Sequence, residues 1–146
     1  MKIYLARPIT GKSYDEVMQY LKDLKEELEI YGYKVLSPMT GKGCLKGEKK
    51  FKAFGYKDAV TTNHAIVERD RWMVENADIV FVNFENTDKV SIGCVAELAW
   101  AHQLGKHTVV VLPKDNIHEH AFVLEMADIV FRNFEDAVSY LKELNI

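Results

Sequence analysis

The feature that most constrains the fold of this chain is an alternation of short apolar runs with longer amphipathic segments. The clearest apolar run, residues 77–84, is continuous, which is typical of a strand buried on both faces of a parallel sheet. The connections between successive runs are too long for hairpins, so helical crossovers are expected between neighbouring strands. The pattern therefore predicts an α/β fold, a Rossmann-like or flavodoxin-like three-layer sandwich with a five-stranded, mostly parallel sheet.

The predicted elements follow from spacing and from signals at their ends. Ser13 is expected to cap the first helix in a capping box with Glu16, and Gly32 is expected to end it. The predicted strands are residues 2–6, 33–36, 77–84, 107–112 and 127–131. The later helices are predicted at residues 62–76, 92–104 and 135–144. The sequence Ala-Asp-Ile-Val occurs at 77–80 and again at 127–130, which indicates two equivalent helix-to-strand joints.

Length and composition bound the class of protein. The chain has 146 residues, a formal charge of −3 and no apolar run near the roughly 18 residues of a membrane helix. A single domain over residues 1–146 is therefore expected, with no basic footprint for nucleic acid and no membrane anchor. Structure is predicted to start at Lys2, which favours a cytoplasmic protein without a signal peptide. Cys44 and Cys94 have neither disulfide-framework nor zinc spacing.

The connection over residues 39–60 departs from the alternating pattern. It contains four glycines and six lysines, and it exceeds the about 12–15 residues that a loop in a compact domain usually has. Connections of this length are commonly functional or disordered. The segment is therefore interpreted as a lid near the active site, with a solvated, mobile insertion as the alternative.

Glu97 is the strongest candidate for a functional side chain. It is the only formally charged residue in segment 91–104, whose other residues are mostly suited to burial. Burying a lone carboxylate is costly, so Glu97 must be paired, protonated or used in chemistry. Gly93 lies on the same helix face and leaves room for a ligand, and Ser91 is placed to cap the helix. The alternative is a structural ion pair of Glu97 with an arginine or lysine.

Weaker candidates lie elsewhere in the chain. Asp70 could supply a second carboxylate. Such a pair would suit cleavage of a glycosidic bond, which needs a nucleophile and an acid. The commoner role of charged residues at such a position is to lie on a solvated helix face. The turn 7–11 follows the first strand and lies at the ligand-facing edge of a parallel sheet. His118 and His120 lack an evident third metal ligand, so a substrate or subunit contact is the preferred interpretation.

Three motifs, taken in order, resemble the nucleoside 2-deoxyribosyltransferase family, which includes the related 2′-deoxynucleoside 5′-monophosphate N-glycosidases. They are Ile3-Tyr4-Leu5-Ala6, Asp70 ahead of the 77–80 strand start, and Ser91-x-Gly93-x-x-x-Glu97-Leu98-x-x-Ala101. The resemblance runs from Lys2 to about Leu112 and is looser beyond Pro113.

The resemblance implies a role for each matching residue. Glu97 would attack the anomeric carbon of a 2′-deoxyribonucleoside and form a covalent ester, Tyr4 would hold Glu97 in line, and Asp70 would contact the base and move its proton. A second base would then attack the ester, so that two inversions give net retention. This chemistry needs an ionised Glu97 and an Asp70 that can carry a proton, so their pKa values should be pushed apart. It needs no metal and no organic cofactor.

The resemblance also implies the molecules that the protein binds. The residues assigned to substrate contacts are Ser91, Gly93, Arg7, Gly11 and His120. The expected partners are a 2′-deoxynucleoside or its 5′-monophosphate and a free nucleobase. Members of the family assemble as dimers or larger, so a homo-oligomer is expected in which residues 116–120 reach the site of a neighbouring subunit.

Ser91 leaves more than one activity open. Transferases of the family often carry an aspartate there, whereas a serine resembles the N-glycosidases, which hold a 5′-phosphate and let water take the sugar. A neutral hydroxyl at a helix N-terminus tolerates phosphate, and an aspartate repels it. The turn 7–11 lacks the serine- and arginine-bearing turn of the glycosidases. Base transfer is therefore the favoured prediction, hydrolysis the alternative, and a nucleotide-binding module without activity the second alternative.

Overall fold

The computed structural model describes residues 1–145 and contains a five-stranded sheet with helices on both faces. The strands are β1 (Lys2–Ala6), β2 (Lys34–Leu36), β3 (Ile79–Asn83), β4 (His107–Val111) and β5 (Ile129–Phe131). The helices are α1 (Tyr14–Ile30), α2 (Asn63–Asn76), α3 (Ile92–Gln103), α4 (Ala121–Met126) and α5 (Phe134–Leu144). All strands are parallel, in the order β2-β1-β3-β4-β5, so the predicted α/β fold is confirmed.

Alternate residues of the strands supply the two halves of the core, as the two-residue period of a strand requires. On β3, Ile79 and Phe81 face α1 and α5, whereas Val80 and Val82 face α2, α3 and α4. The helix residues of the first half are Val17, Leu21, Leu24, Leu28, Ala137, Val138 and Leu141. Those of the second half are Met73, Val74, Cys94, Leu98, Ala101 and Val123. Burial on both faces explains the continuous apolar run of β3.

Within residues 1–145, no helix has the length and apolar content needed to cross a membrane.

The start of α1 follows the predicted signal only in part. Ser13 Oγ accepts a hydrogen bond from the Glu16 backbone N–H at 3.2 Å, so Ser13 is the N-cap as predicted. The Glu16 carboxylate, however, lies 3.6 Å from Lys12 Nζ rather than on the backbone of Ser13. The capping box therefore forms in one direction only, because a nearby lysine competes for the glutamate.

The segment between β4 and β5 differs most from the prediction. Helix α4 is absent from the sequence-based assignment, because its six residues show too little periodicity to detect. It begins after its N-cap His120, and the Ala127 N–H still bonds to Val123 O at 3.2 Å. Strand β5 therefore starts at Ile129 rather than at Ala127.

The repeated Ala-Asp-Ile-Val sequence does mark two equivalent joints. Asp78 follows α2, and its Oδ2 accepts a hydrogen bond from the Lys2 N–H at 2.7 Å. Asp128 follows α4, and its Oδ2 accepts one from the Thr108 N–H at 2.8 Å. In each case the aspartate ties the entry to one strand to the start of the neighbouring strand.

The strand order determines where a ligand can bind. From β1 the chain crosses to β2 on one side, and from β3 it crosses to β4 on the other side. Helices α1 and α3, which make these crossings, pack on opposite faces of the sheet. The turns that leave β1 and β3 therefore diverge and open a crevice at the carboxyl ends of these two strands.

Candidate active site

A cavity of about 820 Å³ lies in this crevice. Its volume falls within the roughly 300–1,000 Å³ that is typical of small-molecule sites. The lining comes from the turn 7–12, from the connection after β2 at residues 38–56, from α2, and from residues 86–97 with Trp100. The cavity thus joins segments that are distant in sequence.

Glu97 lies on α3 at the wall of the cavity and is only 7 % exposed. Tyr4 on β1 is fully buried, and its hydroxyl donates a hydrogen bond to Glu97 Oε1 at 2.6 Å. Tyr4 reaches α3 because it belongs to the set of strand residues that face α2, α3 and α4. Among residues 1–145 no cation lies within 4.0 Å of Glu97. The interpretation of Glu97 as half of a structural ion pair therefore finds no support in the described residues.

Asp70 lies on α2 and lines the same cavity. The whole residue is 8 % exposed. Its Oδ2 is 3.9 Å from Lys42 Nζ. Its Oδ1 is buried and has no hydrogen-bond partner. The structure thus places Asp70 inside the cavity rather than on a solvated helix face, with one carboxylate oxygen free for a ligand.

Burial raises the pKa of both carboxyl groups, but their charged neighbours differ. Burial and then the charge of Asp70 raise the pKa of Glu97 to about 8, against the lowering effects of the Tyr4 hydrogen bond and of Lys42. Burial also raises the pKa of Asp70, while Lys42 and Arg69 lower it. The two carboxyl groups are coupled, and the pair holds one proton at neutral pH because the pKa of Glu97 is raised to about 8. Lys42 lies within 4.0 Å of Asp70 and not of Glu97, so the expected separation of the two pKa values has a physical basis and stays a prediction.

Ser91, the N-cap of α3, and Gly93 in its first turn both line the cavity. Ser91 Oγ accepts a hydrogen bond from the Cys94 N–H at 3.3 Å and so caps the helix. The Ser91 N–H itself donates to His118 Nε2 at 2.7 Å, and the buried His118 ring stacks on Phe84 with 4.1 Å between centroids. A Cβ on Gly93 would meet nothing within 4 Å, so this turn of the helix is open to a ligand.

Arg7 and Gly11 also line the cavity. The guanidinium carbon of Arg7 lies 4.0 Å over the centre of the Tyr20 ring, and its Nε is buried without a partner. Gly11 has a φ of +86°, a conformation that favours glycine, and its N–H donates to Phe51 O at 2.9 Å. That bond joins the turn after β1 to the connection after β2.

His120 does not line the cavity of its own chain. Its Nδ1 accepts a hydrogen bond from the Phe122 N–H at 3.1 Å, and the residue is exposed at the start of α4. A contact between His120 and a substrate would therefore need a neighbouring subunit, and it stays a prediction. Within one chain it is His118 that contacts the site, because it accepts a hydrogen bond from the Ser91 N–H. No signal in the sequence distinguishes His118 from His120.

Lys42 is the cavity residue that the sequence did not single out. Its side chain is 4 % exposed, and its pKa is lowered by burial and raised by the charges of Asp70 and Glu97. Leu45 and Phe51 of the same connection are buried in the core, so this part of the connection is not a solvated insertion. Six lysines occur between residues 39 and 60, and no local pattern marks the one that tertiary packing buries.

In the cavity, the Glu97 carboxyl group is held at one oxygen by Tyr4. The Asp70 carboxyl group has one oxygen free, and Lys42 lies beside its other oxygen. Within residues 1–145, no three His, Cys, Asp or Glu side chains converge as metal ligands would. The side chains present suit nucleophilic attack combined with proton transfer, since one buried carboxyl group can attack while the other moves a proton.

Glu97→Gln should raise the free energy of unfolding at high pH and leave it nearly unchanged at low pH. Because the pKa of Glu97 is raised from 4.5 to about 8, the folded protein binds more protons than the unfolded chain across this window, so stability falls as pH rises through it. Glutamine removes that loss and keeps the oxygen that accepts from Tyr4. A gain on the order of 1–4 kcal/mol is expected at about pH 9, since one pKa unit corresponds to about 1.4 kcal/mol.

The measurement is chemical denaturation of both proteins at about pH 4 and about pH 9, with the exposed Glu143→Gln as the control. The control should change stability little at either pH. A loss of stability in Glu97→Gln at high pH would instead indicate that Glu97 is a structural partner.

Comparisons with known proteins identify the family and the fold. The model of the nucleoside 2-deoxyribosyltransferase family matches residues 3–137. Among solved structures, the fold is similar to a 2-deoxyribosyltransferase from Bacillus psychrosaccharolyticus, with a TM-score of 0.65, 23 % identity, and 96 % of this chain and 92 % of that chain covered. It is also similar to a 2-deoxyribosyltransferase from Leishmania mexicana, with a TM-score of 0.64, 19 % identity and 99 % of each chain covered.

A third similar structure is a CMP N-glycosidase from Clostridium botulinum, with a TM-score of 0.58, 17 % identity, and 99 % of this chain and 97 % of that chain covered. A comparison with curated proteins gives no match. The structural likenesses establish the fold, and the family model, which spans nearly the whole chain, establishes the family. This chain belongs to the nucleoside 2-deoxyribosyltransferase family, whose activity is of the glycosyl-transfer type.

Proposed function

We propose that the protein is a nucleoside 2-deoxyribosyltransferase, which exchanges the base of a 2′-deoxyribonucleoside through a deoxyribosyl ester of Glu97. The observation that carries this proposal is the 2.6 Å hydrogen bond from Tyr4 to Glu97 Oε1 at the wall of the cavity. This bond fixes one oxygen of the carboxylate and thereby orients the other. Because no cation neutralises Glu97 within residues 1–145, its charge is available for attack once its proton has left.

In the first half of the reaction, the shared proton lies on Asp70 and Glu97 is ionised. A Glu97 oxygen forms a bond to C1′ of the sugar while the bond from C1′ to the base nitrogen breaks. The electron pair of that bond goes to the base, and Asp70 gives the base a proton. The products are the glutamyl ester, an ionised Asp70 and a neutral free base, so charge and protons balance.

In the second half, a different base enters the cavity and attacks C1′. Its nitrogen loses a proton to Asp70, and the C1′–O bond of the ester breaks to release Glu97 as a carboxylate. Two inversions at C1′ give net retention, and the order of events is ping-pong. Ser91, Gly93, Arg7 and Gly11 are proposed to contact the substrate, since each lines the cavity beside these groups.

Glu97→Ala should abolish base exchange while the protein remains folded. The purified protein is incubated with 2′-deoxyinosine and adenine, and the products are followed by chromatography. The unchanged protein and Glu143→Ala, a substitution at an exposed position on α5, should both form 2′-deoxyadenosine. Formation of 2′-deoxyadenosine by Glu97→Ala at the unchanged rate would disprove the role of Glu97 as nucleophile.

The value of kcat/KM for the donor nucleoside should fall about tenfold per pH unit above about pH 8. The active form needs the one proton that the carboxyl pair holds, and this proton is lost as pH rises through the pKa of Glu97, which is about 8. The measurement uses a donor whose base does not titrate in this range. A kcat/KM that keeps rising through about pH 9 would mean that ionisation of Glu97 alone limits the rate.

Hydrolysis of 2′-deoxynucleoside 5′-monophosphates is the second candidate function. Five cationic side chains line the cavity besides Lys42: Arg7, Lys12, Lys50, Lys52 and Lys89. They share the cavity with the uncharged Ser91 at the start of α3, where the helix dipole favours an anion. Incubation with monophosphates alone tests this candidate, since free base and deoxyribose 5-phosphate without exchange would identify a hydrolase. A ligand-induced thermal shift without any product would instead indicate a nucleotide-binding module.

The proposal includes a homo-oligomer, a dimer or larger. Apolar side chains on α2, α3 and α4 are exposed in the single chain, among them Trp72 at 57 %, Ile92 at 80 % and Phe122 at 71 %. Their burial against a second copy would bring residues 116–120, which include His120, towards a neighbouring site.

Sedimentation velocity should give a mass at least twice the 16.8 kDa of one chain. Phe122→Asp should shift the distribution towards the monomer, because a buried unpaired charge opposes association. The control is Ile30→Asp. Ile30 is exposed and lies on α1, which packs on the opposite face of the sheet from α4. A monomer at all concentrations would contradict the proposed assembly.

A further inference from the structure

We propose that Lys42 is a positioning residue of this reaction, whose ammonium group holds Asp70 and stabilises the carboxylate that remains after Asp70 has protonated the departing base. The inference rests on the proposed function and deepens it, because it adds a third group to the proton transfer. It assigns a role to a residue in the long connection after β2.

The geometry divides the two oxygens of Asp70 between two tasks. Lys42 Nζ lies 3.9 Å from Oδ2, while Oδ1 is buried and has no hydrogen-bond partner. Both side chains are nearly excluded from water, with 4 % of Lys42 and 12 % of Asp70 exposed. The ammonium therefore acts on one oxygen at short range in a poorly screened environment, and the other oxygen remains free to contact the base.

Five charged or titratable groups face Asp70 from the elements around it. Lys42 approaches from the connection after β2, and Arg69 belongs to the same helix. Glu97 and Cys94 face it from α3, and Tyr4 faces it from β1. Of the two cations, Arg69 is engaged with the backbone, since its Nη1 donates to Val60 O at 2.7 Å. Among residues 1–145, Lys42 supplies the single cation within 4.0 Å of Asp70.

The connection is built to keep Lys42 in this place. The Lys42 N–H donates to Met39 O at 3.0 Å, and the Leu45 N–H donates to Lys42 O at 3.0 Å. Gly41, with a φ of +75°, lies directly against Arg69, because a Cβ there would come within 2.8 Å of the guanidinium. A turn with these constraints delivers its lysine into the cavity rather than into solvent.

The chemical role follows from the proton balance given above. When the bond from C1′ to the base breaks, Asp70 loses its proton to the base nitrogen and becomes a carboxylate. A neighbouring ammonium stabilises this carboxylate, so Asp70 becomes a stronger acid and the base departs more easily. In the second half, Asp70 takes a proton from the incoming base, and Lys42 remains charged throughout.

Lys42→Met tests the inference, because methionine keeps an apolar stem and removes the charge. We expect kcat for base exchange to fall about tenfold or more, a part of the roughly 10²–10⁴-fold that acid–base catalysis contributes, with KM little changed. The decline of kcat/KM at high pH should move to higher pH, since Lys42 lowers the pKa of Glu97 and of Asp70. Lys42→Arg should restore part of kcat.

The matched control is Lys46→Met. Lys46 is an exposed lysine of the same connection and does not line the cavity, so this substitution should change neither kcat nor the pH at which kcat/KM declines.

A carboxyl NMR titration of Asp70 separates this inference from the proposed function. The pKa of Asp70 should be higher in Lys42→Met than in the unchanged protein and in Lys46→Met, whether or not base exchange is observed. If the unchanged protein exchanges bases but Lys42→Met keeps its kcat and pH profile, the inference about Lys42 is wrong and the proposed function stands. If the unchanged protein does not exchange bases, the proposed function fails. In that case an unshifted Asp70 titration would also overturn the pairing, and a shifted one would support it.

Discussion

The hydrogen bond between the Tyr4 hydroxyl and Glu97 Oε1 links the centre of the sheet to the helix that forms the wall of the cavity. Strand β1 lies between β2 and β3, so Tyr4 is buried by strands on both sides and by helices on its own face. A phenol in such a place needs a hydrogen-bond acceptor, and a carboxyl group in such a place needs a donor. The two requirements are met together, and in meeting them the fold fixes the position of one oxygen of Glu97.

The uneven distribution of cations around the two carboxyl groups then influences how they share a proton. Asp70 has Lys42 within 4.0 Å and Arg69 on the same helix. Glu97 accepts a hydrogen bond from the Tyr4 hydroxyl and has no cation within 4.0 Å among residues 1–145. Two carboxylates in one poorly hydrated cavity cannot both ionise easily, so the pair behaves as one acid with a single proton at neutral pH. In the proposed reaction, such a pair would supply the proton that the departing base requires and would leave Glu97 ionised for attack.

The long connection after β2 is part of the same construction. It buries Leu45 and Phe51 in the core, bonds to the turn after β1 through Phe51 O and Gly11 N–H, and places Lys42 beside Asp70. These contacts explain how a segment rich in glycine and lysine can be ordered: it relies on the core and on the neighbouring turn rather than on its own secondary structure. It thereby contributes a buried charge beside Asp70 to the cavity.

Periodicity and end signals in the sequence by themselves determined the parallel α/β fold, the helix that bears Glu97, its cap at Ser91 and the open face at Gly93, because each depends on residues a few positions apart. The helix α4 escaped detection because six residues are too few to show a period. Only the tertiary structure decided that Lys42 rather than another lysine is buried beside Asp70, and that His118 rather than His120 bonds to Ser91. It also decided that Glu97 and Asp70 are buried close enough for their titrations to be coupled. Burial and electrostatic coupling arise between segments far apart in the chain, and no local spacing encodes which side chains will lose their water together.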